Sequence, residues 1–150
     1  MSRKERVEPL ETFEEAIERE DERLLPEVER MTKNPRYNSW SYGCWSYLAR
    51  GRYAEQLERW LMLFPREQLL VLKAEQLFAE PQQVLDQVHD FLGLPDHRYE
   101  QVARLNPGAY DDAVPPETRA RLAEYFRPHN ERLYELTGID FGWDRASVAA

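Results

Sequence analysis

A single cysteine, Cys44, leaves this 150-residue chain without an internal disulfide and with too few thiolates for a multi-cysteine zinc site. Lying between Tyr42 and Trp45, it reads as a small buried hydrophobe rather than a nucleophile. Lysine is nearly as scarce: Lys4, Lys33 and Lys73 are the whole supply, and none stands beside a glycine-rich turn. The three histidines, His89, His97 and His129, have no metal-binding spacing, so no metal is expected. Positive charge is in deficit, with 20 Lys and Arg against 28 Asp and Glu and a net charge of −8. A nucleic-acid partner is excluded on that ground, because phosphate neutralisation needs a basic patch. No apolar run approaches membrane-spanning length, and Met1-Ser-Arg-Lys-Glu-Arg6 lacks the apolar core of a signal peptide. The expectation is a cytoplasmic protein with no membrane partner. Internal repeats and low-complexity tracts are also missing.

The chain is nevertheless rich in what a globular domain needs. Hydrophobic residues make up 42% and aromatics 12%, enough for one domain with a sizeable core. Residues 1–11 are polar and read as loose. Thr12 with Glu15 has the capping-box spacing, and Phe13, Ile17 and Leu24 give the following helix an apolar stripe. The alternating charges of Glu18–Arg23 read as a solvated helix face. Pro26 can start a further helical turn, and Asn34-Pro35 ends that region.

Tyr37–Tyr47 holds five aromatics in eleven residues. It reads either as an aromatic-rich core connection or as a surface that meets a flat ligand or an acceptor substrate. From Tyr53 to Phe64 the apolar residues Tyr53, Leu57, Trp60, Leu61 and Phe64 fall on one helical face. After Phe64-Pro65, the run Leu69-Leu-Val-Leu72 predicts a strand buried on both faces, as in a parallel sheet. A helix from Pro81 presents Val84, Leu85, Val88, Phe91 and Leu92, with Gly93 placed to cap its end. A last helical region begins at Pro115-Pro116, and Pro128 is expected to break or restart it before Gly138.

This order of elements resembles the C-terminal half of sulfotransferases that use 3′-phosphoadenosine 5′-phosphosulfate (PAPS) as donor, of the heparan-sulfate and bacterial types. The likeness is carried by Gly51, Tyr53, Gln56, Leu57, Trp60 and Leu61, then by Phe64-Pro65 and the strand, then by Glu75, Leu77, Pro81 and Phe91–Leu94. A closing pattern of Tyr125, Phe126, Pro128, Asn130, Leu133, Tyr134, Leu136, Gly138, Phe141 and Trp143 completes it. It covers about residues 12–144; the ordered combination is specific where no single piece is.

The resemblance implies an α/β fold. The chain would be the C-terminal part of a P-loop-like three-layer parallel-sheet domain, mostly helical here with one clear strand, and residues 1–150 would form a single partial domain. It also implies transfer of a sulfuryl group from PAPS to a hydroxyl or amine acceptor of unknown type, without a metal. In that family a phosphate-binding loop cradles the phosphosulfate, a lysine offsets charge on the leaving oxygen, and a Glu or His takes the acceptor's proton. None of these is found in this sequence, so no catalytic residue is assigned and the chain by itself is expected to be inactive. One donor-contacting element matches: Asn106, Gly108 and Tyr110 fit the loop that closes over the 3′-phosphate and adenine, although Asn106-Pro-Gly108 also suits a plain turn. The neighbouring Asp111-Asp112 makes that loop less hospitable to an anion. Arg50, Arg52 and Tyr53 are the candidates to face the acceptor, or, more plainly, to solvate a helix start. Alternatives to an enzyme are a stand-alone helical interaction module or a degenerate pseudoenzyme. A lone central strand needs neighbours, so the chain is expected to be marginally stable, to self-associate, or to bind a complementing N-terminal chain.

Overall fold

The computed structural model describes residues 9–100, 102 and 114–143. Eight α-helices form among them: α1 Phe13–Glu18, α2 Glu20–Lys33, α3 Trp40–Trp45, α4 Leu48–Gly51, α5 Tyr53–Leu61, α6 Ala74–Ala79, α7 Pro81–Leu92 and α8 Pro116–Thr137. A 3₁₀ turn, Arg66–Gln68, separates α5 from the extended stretch that follows. No described helix is long and apolar enough to cross a membrane.

The helix ends follow local chemistry. Thr12 Oγ1 accepts the Glu15 N–H at 3.1 Å, and Glu14 and Glu15 sit in the first turn of α1, where the helix dipole favours negative charge. Ser39 Oγ caps α3 in the same way, through the Tyr42 N–H at 3.0 Å. Pro81 opens α7 at a position where its missing N–H costs nothing. Gly93 and Gly138 end α7 and α8 at φ 65° and 70°, a left-handed conformation that glycine adopts without strain.

Two prolines behave differently from the sequence expectation. Pro26 lies inside α2, and α8 runs unbroken through Pro128. Each removes one helical hydrogen bond. In α8 the turns on either side are held by burial of Thr118, Asn130 and Leu133, which outweighs the lost bond.

The larger correction concerns the strand. Leu69 to Lys73 is extended, with Leu69 at φ −120° and ψ 111°, yet no strand pairs with it among the described residues. A strand is defined by its ladder of backbone hydrogen bonds, and apolar sequence alone cannot supply the neighbour. Nor is the stretch buried on both faces. Leu69, Val71 and Lys73 are half-buried, whereas Leu70 and Leu72 leave 37% and 36% of their surface exposed. The described fold is therefore mostly helical.

The helices pack in pairs, α2 on α3, α5 on α8 and α6 on α7. The central apolar cluster is small. Ala54 of α5, Leu133 of α8 and Phe141 are buried, and Leu57, Val71, Tyr134, Ile139 and Trp143 pack around them. A second buried group, Ala16, Ile17 and Leu24, lies on α1 and α2. Against this, Trp60, Met62, Leu63 and Phe78 each leave more than half of their surface in solvent.

Candidate functional site

The junction of α4, α5 and α8 holds the residues that the sequence singled out. Its approach is unusually close: a Cβ on Gly51 would stand 2.6 Å from Cε1 of Phe126. Glycine at this point lets the end of α4 lie directly on the aromatic edge of α8. Beside the contact opens a cavity of about 890 Å³ between α5, the stretch Val71–Glu75, α8 and the Phe141–Trp143 end. Its walls are mostly apolar, with Tyr53, Leu57, Trp60, Phe126 and Trp143 among them. Lys73 and Arg119 bring the positive charge on the described wall.

Aromatic contacts organise this end of the molecule. Trp143 stacks on Phe141 at 4.7 Å and tilts against Tyr53 at 5.9 Å, while Phe141 stacks on Tyr134 at 5.9 Å. The Trp143 Nε1–H donates to Glu75 Oε1 at 2.9 Å, tying the chain's last described turn to the start of α6. That bond, more than the nearby Lys73 ammonium, holds the Glu75 carboxyl below its ordinary value of 4.5. Gly142, at φ 72°, makes the preceding turn, which Asp140 closes by accepting its N–H at 2.8 Å.

Among the acceptor candidates, Tyr53 lines the cavity and is half-exposed. Arg50 and Arg52 precede it in the chain; Arg50 is committed elsewhere, whereas the buried Arg52 Nε makes no hydrogen bond among the described residues. The Arg50 guanidinium folds back to donate to the Gly43 carbonyl, and Arg52 Nε lies 3.9 Å from Glu55 Oε2. Glu55 in turn faces His129 Nδ1 at 3.3 Å. Gln56 Nε2 donates to the Arg50 carbonyl at 3.0 Å and so closes the end of α4. Tyr125, also near Arg52, has its phenol pushed up by burial. The donor-loop candidates Asn106, Gly108 and Tyr110 lie outside the described residues.

Sequence reading missed the residue that positions this junction. Glu20 belongs to the charge run expected to be a solvated face, yet it is 2% exposed. Its carboxylate accepts three successive backbone N–H groups, from Tyr47 and Leu48 at 2.7 Å and from Ala49 at 2.8 Å. It thereby caps the start of α4 from a distant helix and sets the direction in which Arg50, Gly51 and Arg52 leave it. The only signal was positional, since Glu20 falls four residues before Leu24 and three after Ile17, on the apolar side of the run. Glu27 acts similarly next door, accepting from Tyr37 Oη at 2.8 Å and Ser39 Oγ at 2.5 Å. Those hydroxyls, Ser39 first, hold the Glu27 carboxyl below its ordinary value.

The aromatic segment Tyr37–Tyr47 is a packed connection rather than an open face. Trp40 and Trp45 meet edge-on at 5.0 Å, and the Arg23 guanidinium sits 4.3 Å over the Trp45 ring. Cys44 is half-buried among them. No group of three His, Cys, Asp or Glu side chains among the described residues is arranged to hold a metal ion.

Comparison with known proteins gives the arrangement a context. Residues 12–106 match the Sulfotransferase domain family. The chain is 32% identical over 143 residues to human heparan sulfate glucosamine 3-O-sulfotransferase 3B1, which covers 80% of this chain and 37% of that protein. It is 35% identical over 96 residues to the membrane-associated sulfotransferase kil1 of Dictyostelium discoideum, covering 64% of this chain and 20% of that protein. Mouse bifunctional heparan sulfate N-deacetylase/N-sulfotransferase 4 is 31% identical over 111 residues, covering 59% and 13%. The chain thus spans little more than a third of the length of the 3-O-sulfotransferase and less of the other two.

Proposed function

For a chain that belongs to the sulfotransferase family, we propose a part in PAPS-dependent transfer of a sulfuryl group to a hydroxyl or amine acceptor. In that reaction the acceptor oxygen or nitrogen attacks sulfur. The bond from sulfur to the bridging phosphate oxygen breaks, the acceptor's proton passes to a base, and adenosine 3′,5′-bisphosphate leaves. The observation that carries the reading is the family match over residues 12–106, which spans the Gly51–Tyr53 junction and the cavity wall from Val71 to Glu75.

In this reading Asn106, Gly108 and Tyr110 belong to the donor loop, while Tyr53 with the flanking Arg50 and Arg52 faces the acceptor side. The extended Leu69–Leu72 stretch, unpaired among the described residues, would join a parallel sheet only with strands brought by a complementing segment. Among the described residues there is no strand followed by a glycine-rich turn and a helix to cradle the phosphosulfate. The same proposal has the chain inactive by itself, with turnover needing a complementing chain that brings a phosphate loop and a base. The exposed Leu70 side chain supports that need. The cytoplasm is the compartment proposed.

Calorimetry with adenosine 3′,5′-bisphosphate tests the donor half of this reading. Saturable binding, weakened about tenfold by Tyr110→Ala, is the expected result; no saturable binding overturns it. An assay with PAPS labelled in sulfur-35 tests the second half, and label transfer by the chain alone would show that it is not inactive.

A further inference from the structure

Several charged groups of α1, α2, α5 and α8 are paired with one another, and this bears on the acceptor. Arg52 lies beside Glu55, which also meets His129. Arg132 pairs with Glu58 at 2.6 Å, Arg121 with Glu18 at 2.6 Å and Arg30 with Glu27 at 2.7 Å. Arg50 is spent on the Gly43 carbonyl. The carboxylates are equally occupied: Glu20 holds three backbone amides, and Glu75 holds the Trp143 indole.

A polyanionic glycan is bound by a row of cations free to release counterions. Here Arg121 and Arg132 would first have to leave a carboxylate, which would then face the incoming anion. The net charge of −8 adds long-range repulsion to that local cost. Lys73 and Arg119 supply positive charge on the cavity wall for one anionic group, not for a chain of them. The remaining wall presents rings and aliphatic side chains, with Tyr53 and Trp60 each at least half-exposed.

We infer that the acceptor is an uncharged alcohol with an apolar or ring-shaped body, seated against Tyr53 and Trp60, and not the heparan sulfate named for the 3-O-sulfotransferase relatives. The inference rests on the sulfuryl-transfer reading and names the acceptor class for the same site. Aromatic faces hold sugar rings and alkyl chains without needing a counter-charge, and an uncharged ligand is nearly indifferent to salt.

The test uses the full chain and two probes: octyl β-glucoside below its micellar concentration, and a heparan sulfate octasaccharide. Saturation-transfer NMR is recorded at about 0.05 and about 0.5 M NaCl, between which a polyanion's affinity drops about a hundredfold or more. The expected result is saturable octyl glucoside binding that changes less than about twofold with salt. Trp60→Ala, at a side chain 55% exposed, weakens that binding about tenfold while the melting temperature holds, with no octasaccharide signal. Octasaccharide binding, absence of octyl glucoside binding, or an unchanged affinity in Trp60→Ala overturns the inference. Adenosine 3′,5′-bisphosphate binding measured on the same sample reports separately on the donor reading.

Discussion

The two flanks of this molecule are held by different forces. From α1 to α4, carboxylates direct the backbone: Glu20 gathers three amides, Glu27 gathers two hydroxyls and an arginine, and Glu14 accepts from Thr118 Oγ1 of α8 at 2.6 Å. From α5 through α8 to Trp143, stacked rings and a small aliphatic cluster do the same work. Hydrogen bonds are directional and fix the path of the backbone, whereas ring contacts hold side chains through area and shape. The cavity lies mainly on the ring-held flank.

The comparison breaks most easily at Glu20. Glu20→Ala leaves three partly buried N–H groups without their acceptor, and a loss of about 3 kcal/mol is expected in denaturant unfolding. If the loss is below about 1 kcal/mol, the amides find other partners and the carboxylate is not the organiser. On the ring-held flank, Phe141→Ala removes one of three central buried side chains; about 3 kcal/mol should be lost by the same measurement, with Trp143 fluorescence shifting to the red.

Gly51→Ala probes the seam between the flanks. The added methyl meets the Phe126 ring, so a loss of about 1–3 kcal/mol is expected, and Phe126→Leu in the same chain should restore part of it. Acid sharpens the contrast further. The lowered Glu75 carboxyl contributes stability above its ordinary value of 4.5, and that contribution is lost as pH falls through its lower value in the folded state. Trp143 emission should change in that acid range, and Glu75→Gln should flatten the change. Smallest of all, Arg132→Ala, which breaks an exposed pair with Glu58, should cost no more than about 1 kcal/mol in thermal melts.

Much of the local structure was legible in the residues. Thr12, Pro81, Gly93 and Gly138 mark helix ends where helices begin or stop, because capping and positive φ are decided by neighbours in sequence. The apolar stripe Tyr53, Leu57, Trp60 does form one side of α5 at the cavity. Family membership was legible too, since it rests on the order of such short elements.

Three things were decided only in three dimensions. Leu69–Leu72 has strand composition but no ladder among the described residues, because a ladder needs a second chain segment that local sequence cannot specify. Pro128 carries a helix-breaking signal, and α8 continues through it because packing on both sides outweighs one missing bond. Glu20 looks like a surface charge and is buried, because its partners lie 27 to 29 residues away on another element. Local propensity sets where helices start and end in this protein; pairing, burial and the cavity at Gly51 come from contacts between segments far apart in the chain.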